Sequence, residues 1–253
     1  MNTICLLTRK IDPIWFDFLN RFSKYRIIIV VDDNSENYAE KYTNTNTNTN
    51  TNTNIKIVQL PNELCREQGY TNCNSCVGFN EIISWDKALY YFNHMDTIHD
   101  GDIWFIEDDV FFMNEDTLIN IDKQYPQSDL LTSFHETNHS GEMYSWNHWV
   151  NVVGRIELPW SHSMVCASRM SRRLLGAVDE YVKKRGQLYF IESMFNTLAE
   201  HNNMQIDNPE QLSTVHWNTN WDKNDIDNTK VYHPFKNIED HSVIRTSNSN
   251  HPV

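Results

Sequence analysis

Asp102-Ile103-Trp104-Phe105-Ile106-Glu107-Asp108-Asp109-Val110 (DIWFIEDDV) passes directly from an apolar run into three consecutive acids. Such a run, aromatic and β-branched, reads as a strand buried on both faces, the kind found in a mainly parallel sheet covered by helices. Three adjacent carboxylates repel one another unless something cationic offsets them. In open α/β sheets ligands collect at the carboxyl ends of the strands. Alternation along the strand predicts Glu107 and Asp109 on one face and Asp108 on the other. One face then offers hard oxygen donors to Mg²⁺ or Mn²⁺. The alternative is an ordinary strand end with solvated carboxylates.

Working outward, Arg26 to Val31 (RIIIVV) is a second central strand, and it stops at Asp32-Asp33-Asn34. Thr3 to Thr8, Ile55 to Leu60 and Asp129 to Phe134 read as further strands. Helical patterns fill the gaps: Asp12-Pro13 through Phe22, Ile82 to His94, 171–185 and 189–201. The order predicts a single α/β domain, Rossmann-like, with a mixed, mainly parallel sheet flanked by helices. Residues 61–80 read as a long loop carrying Cys65, Cys73 and Cys76. The Thr-Asn alternation over 43–54 has no apolar face and reads as a solvated low-complexity loop. Beyond residue 237 the chain turns polar and is expected to fray.

The chain has 253 residues, with 21 Lys+Arg against 34 Asp+Glu and a net charge of −13. That excess of acid argues against nucleic acid and against an anionic membrane surface as partners. With 40% hydrophobic residues the chain can bury a proper core. No apolar stretch is long enough for a membrane span, and MNTICLLTRKIDPIW lacks the pattern of a signal peptide. Five cysteines in a chain this long do not form a disulfide framework, so a reducing, cytoplasmic setting is expected. Cys73-x-x-Cys76 lacks the matched second pair of a structural zinc site. HExxH, GxGxxG and GxxxxGK[ST] are absent from the sequence.

Four further features carry chemistry. A carboxylate of Asp32-Asp33 could accept hydrogen bonds from a ribose or a base N–H, or could simply form a turn with Asn34 and Ser35. In His233-Pro234-Phe235-Lys236 the imidazole is a candidate metal ligand and Lys236 a partner for diphosphate charge. Glu192, among aromatics in YFIESMF, is a candidate general base, because burial raises a carboxyl pKa; an exposed helical Glu is the other reading. Trp146, Trp149, Trp160 and His162 lie in a Trp-rich stretch suited either to stacking on a sugar or to the core. Arg169, Arg172 and Arg173 read as a helix start, solvated by default, with a phosphate contact as the other reading.

Taken in order, these residues resemble the nucleotide-sugar-dependent glycosyltransferases of the GT-A fold, over about residues 1–236. Small versions occur in large DNA viruses and bacteria, and the Asn-rich repeat resembles such a genome. The resemblance implies that Asp32-Asp33 bind the nucleoside and that Glu107-Asp108-Asp109 form the "DxD" element in its EDD form. Asp109 and His233 would hold Mn²⁺ or Mg²⁺. Thr8, Arg9, Lys87, Glu107, Asp108 and Lys236 join Asp32 and Asp33 in the donor-binding set, with Trp160 and His162 on the acceptor side. Glu192 would take the acceptor hydroxyl proton, as in inverting members. The implied substrates are a nucleoside-diphosphate sugar, with UDP as the nucleotide, and a hydroxyl on a glycan or protein. The expected location is the cytoplasm, or a host cytoplasm or virion were the chain viral. Rival readings are a sugar nucleotidyltransferase, which would release pyrophosphate, and a sugar- or nucleotide-binding module without turnover.

Overall fold

In the computed structural model, which describes residues 1–45, 55–74 and 81–248, the two apolar runs flank a third strand at the centre of one sheet. In chain order the strands are β1 (Thr3–Thr8), β2 (Arg26–Val31), β3 (Ile55–Gln59), β4 (Ile103–Glu107), β5 (Phe111–Phe112), β6 (Leu130–Leu131), β7 (Glu136–Asn138), β8 (Trp160–His162), β9 (Ala167–Met170), β10 (Ile206–Asp207) and β11 (Val231–Tyr232). The helices are α1 (Pro13–Leu19), α2 (Tyr38–Thr45), α3 (Asn62–Glu67), α4 (Ser84–His94), α5 (Glu115–Gln124), α6 (Arg172–Arg185), α7 (Ile191–His201) and α8 (Ile238–Asn248). Among the described residues the main sheet has seven strands in the order β10-β6-β9-β4-β1-β2-β3. β4, β1, β2 and β3 run parallel, and β9 lies antiparallel between β4 and β6. The expected mixed, mainly parallel architecture is therefore present.

Alternation along the strands divides the interior into two layers. Ile4 and Leu6 of β1, Ile27, Ile29 and Val31 of β2, and Trp104 and Ile106 of β4 pack beneath α1 and α5. Cys5 and Leu7, Ile28 and Val30, and Ile103 and Phe105 point the other way, against α4, α6 and α7. Trp104 and Phe105 are both fully buried, and truncating such a side chain to Ala costs about 3–5 kcal/mol. The helix ends follow local chemistry. Asp12 caps α1, accepting from the Ile14 N–H at 2.8 Å, with Pro13 at the first helical position. Ser171 caps α6, and Gly186 ends it at φ +72°, a conformation that favours glycine.

Several expectations are corrected. α1 ends at Leu19, and the strand expected over 129–134 is confined to Leu130–Leu131. Residues 61–80 are not one loop: Asn62–Glu67 form α3, which buries only Cys65 and so carries no apolar period to read. α2 enters the Thr-Asn repeat as far as Thr45, whereas 46–54 and Cys76 lie outside the described residues. The expected fraying beyond residue 237 is corrected for Ile238–Asn248, which form α8, whereas 249–253 lie outside the described residues. Its inward face, His241, Ile244 and Arg245, is mostly polar, which disguised it. Arg245 stacks its guanidinium 3.3 Å from the Phe18 ring centre, and His241 Nε2 donates to the Phe235 carbonyl at 3.0 Å. No helix among the described residues is long and apolar enough to cross a membrane.

Candidate active site

The carboxyl ends of β1, β2 and β4 bring Thr8, Asp32 and Glu107-Asp108-Asp109 to one edge of the sheet. The alternation expected at the strand end is realised for its first two acids. Glu107 faces the α4 layer, accepting from Trp85 Nε1 at 2.7 Å, and Asp108 faces the other, accepting from the Thr8 hydroxyl at 2.6 Å. Asp108 and Asp109 both lie past the strand, in a turn. Burial pushes the Glu107 and Asp108 carboxyls above their ordinary range, and the neighbouring Asp109 adds to both.

His233 reaches this edge by strand pairing. β11 runs antiparallel to β5, with Tyr232 opposite Phe111, and the Phe235 N–H donates to the Asp109 carbonyl at 2.6 Å. The result is a 3.2 Å contact between His233 Nε2 and Asp109 Oδ1, across 124 positions of sequence (233 − 109). His233 Nδ1 donates to the His216 carbonyl at 2.5 Å, which fixes the tautomer and leaves Nε2 facing the acids. Burial disfavours the imidazolium, but Asp109 and Glu107 outweigh it, so the His233 pKa is raised.

This donor set fits a divalent cation. The Glu107 and Asp109 carboxylates each approach the His233 imidazole, whose other ring nitrogen is already anchored. The Cys166 thiol sits close by, and ligand atoms of Glu107, Cys166 and His233 all lie within 4.8 Å of one another. Sequence reading missed Cys166. Its place follows from the antiparallel β4–β9 pairing, in which the Glu107 N–H donates to the Cys166 carbonyl at 2.9 Å.

Glu192 stands on the first turn of α7, and burial, with Glu107 next, raises its pKa to about 7. With Trp146, Asn147, His148 and Trp217 it lines a cavity of about 220 Å³. Trp217 is 76% exposed there, and no strand or helix pattern pointed to it. Trp146 stacks on His162 at 4.1 Å and on Phe190 at 5.6 Å, so it is held as a plate at the cavity wall. Trp160, expected on the acceptor side, is instead a core residue, 6% exposed, with its indole N–H on the Ile156 carbonyl. His162 is likewise buried, beneath Trp146, and pairs with Glu136 at 3.3 Å.

Two expected donor contacts are buried supports. Lys87 is fully buried, and its ammonium donates to the Asp32 carbonyl at 2.6 Å and lies 3.4 Å from the Asp32 carboxylate. It holds Asp32 in place rather than meeting a ligand. Thr8 is buried with its hydroxyl engaged by Asp108. Asp33 accepts from the Ser35 N–H and hydroxyl, each at 2.9 Å, and those bonds lower its pKa to about 2. Arg9 and Lys236 have exposed side chains, Lys236 one residue past Phe235. Of the three arginines, Arg172 and Arg173 do open α6, and only Arg173 is largely exposed. Arg169 is buried in β9, Arg172 pairs with Asp96 at 2.7 Å, and Arg173 with Asp129 at 3.1 Å.

No family model matches the sequence, and no curated protein matches it. Solved structures do. The galactosyltransferase LgtC, in complex with donor and acceptor sugar analogues, has a TM-score of 0.51 at 10% identity, over 100% of this chain and 98% of that one. An active-site mutant of LgtC gives a TM-score of 0.51 at 10% identity, over 98% of this chain and 96% of that one. Mouse xyloside xylosyltransferase 1 in its apo form gives 0.40 at 12% identity, over 82% and 84%. At so low an identity the likeness is one of architecture, and that architecture is the GT-A fold.

Proposed function

We propose that the protein is a divalent-metal-dependent glycosyltransferase that moves a sugar from a nucleoside diphosphate, UDP being the first candidate, to a hydroxyl of a glycan. The observation that carries this reading is the 3.2 Å meeting of His233 with Asp109 at the carboxyl edge of the sheet, beside Glu107 and within the electrostatic reach of Glu192. Asp109, Glu107 and His233 would hold the ion. When bound, it would supply Lewis-acid neutralisation of the departing diphosphate. Asp32, fixed by Lys87, and Asp33, fixed by Ser35, present acceptor oxygens for a ribose hydroxyl or a base N–H. Exposed Lys236 offers a cation to the diphosphate.

On the acceptor side, the cavity takes over the role expected of Trp160 and His162. Trp146 and Trp217 provide apolar faces for a pyranose, and Glu192 stands at the same wall to remove the hydroxyl proton. A carboxyl with a pKa of about 7 is matched to that task near neutral pH. A base on the acceptor side corresponds to direct displacement, hence inversion at the anomeric carbon.

Incubation with UDP-sugars and methyl glycosides, with and without Mn²⁺, tests the reading. Metal-dependent release of nucleoside diphosphate with a new glycosidic bond supports it, and NMR of the product reports the anomeric configuration. Release of pyrophosphate would point to the nucleotidyltransferase. Binding without turnover would point to the sugar- or nucleotide-binding module.

A further inference from the structure

We infer that the same sheet edge contains a second, thiol-bearing metal centre, formed by Glu107, Cys166 and His233, that takes a thiophilic divalent ion such as Zn²⁺. The antiparallel pairing of β4 with β9 sets Ile106 opposite Ala167, so Cys166 stands beside Glu107 at the strand end. The Glu107 N–H donates to the Cys166 carbonyl at 2.9 Å, locking that neighbourhood through the backbone. His233 closes the set, and all three ligand atoms fall within 4.8 Å of one another. Zinc bonds of about 2.0–2.3 Å place tetrahedral ligands about 3.3–3.8 Å apart, so contraction of about 1 Å brings the three into bonding range and leaves the fourth position to water.

The donor chemistry separates this centre from the carboxylate pair beside it. Mg²⁺ and Mn²⁺ take oxygen ligands, whereas a thiolate with imidazole and carboxylate selects zinc. On binding, the Cys166 S–H proton leaves to solvent and a sulfur–metal bond forms, with no change of oxidation state. Glu107 and His233 are common to both centres. The His233 Nε2 lies 3.2 Å from Asp109 Oδ1. A thiophilic ion would withdraw that nitrogen from Asp109 and so exclude the ion the transfer reaction needs. This consequence rests on the transferase reading, but the centre itself does not.

Cadmium is the probe. Titrated into the full-length chain, Cd²⁺ should give a sulfur-to-cadmium charge-transfer band that saturates at a single equivalent. The band should vanish in Cys166→Ser and persist in Asp109→Ala and in Cys76→Ser, which controls for that thiol, and likewise in serine variants of the fully buried Cys5, Cys65 and Cys73. X-ray absorption of the zinc-loaded parent protein, which needs no variant, should show one sulfur with nitrogen and oxygen neighbours. A band that survives Cys166→Ser, or a zinc shell without sulfur, would overturn the proposal. A cadmium band of the expected kind in a protein that binds no nucleotide with Mn²⁺ would support this centre while removing the transferase reading.

Discussion

At the amino end of β4, Asp102 stands 3.3 Å from Arg169, a guanidinium only 1% exposed that also pairs with Asp122 at 2.7 Å and donates to the Tyr125 and Ser128 carbonyls. At the carboxyl end of the same strand, Glu107 and Asp109 share a single imidazole, that of His233, while Asp108 is met by the Thr8 hydroxyl. Both ends gather acids near buried strand, yet only the first supplies its own cation. The arginine end is closed and structural. The histidine end is left short of positive charge, and an ion drawn from solution fits there.

The contrast can be broken most sharply through chemistry. Glu192→Gln should lower kcat by about 10²–10⁴-fold, about 3–5 kcal/mol, while leaving nucleotide affinity in place. Steady-state rates beside calorimetry check it, and an unchanged kcat would remove Glu192 from the reaction. Arg169→Leu should follow, costing about 3–5 kcal/mol of stability, because half-buried Asp102 and Asp122 would lose their buried cation and the Tyr125 and Ser128 carbonyls its donors. Denaturant midpoints measure that loss.

A smaller effect concerns pH. Folding raises the Glu192 pKa from 4.5 to about 7, so the folded state holds that proton more tightly than the unfolded chain. The group's contribution to stability is therefore lost as pH rises from about 4.5 through 7. Glu192→Gln should match its parent at acid pH and exceed it at pH 8 by on the order of 1–3 kcal/mol. Turnover by the parent enzyme should rise through the same interval as the base ionises. Smallest of all is Asp109→Asn in the absence of metal, expected within about 1 kcal/mol of the parent, since losing the His233 pair is offset by relief of acid repulsion. A large loss there would mean that the histidine end is as structural as the arginine end.

The sequence made the sheet readable where side-chain chemistry and burial agree. Ile27 to Val31 (IIIVV) and Ile103 to Ile106 (IWFI) have no polar member, and their strands stand where expected. α3 and α8 were not readable, because the first buries one cysteine and the second buries a histidine and an arginine. In the site, the acids and His233 were legible as a set because charge at the end of an apolar strand demands an explanation. What pattern could not separate was side chains of one type with opposite fates. Trp160 is core and Trp217 is exposed, yet both are simply tryptophans near polar residues. Lys87 looked like a ligand contact because a fully buried lysine is recognised only when its partner, Asp32, is known to lie across the sheet. Cys166 was passed over because its neighbours come from strand pairing rather than from adjacency.

In the proposed transferase the carboxyl end of β4 needs an external cation in order to bind a nucleoside diphosphate. Electron paramagnetic resonance of Mn²⁺ with UDP measures this directly, because the free-ion signal falls as the ion is bound. The parent protein should quench that signal only when UDP and Mn²⁺ are present together, and both Asp109→Ala and His233→Ala should leave it at the level of the protein-free control. Equal quenching by the parent and by both variants would contradict the account.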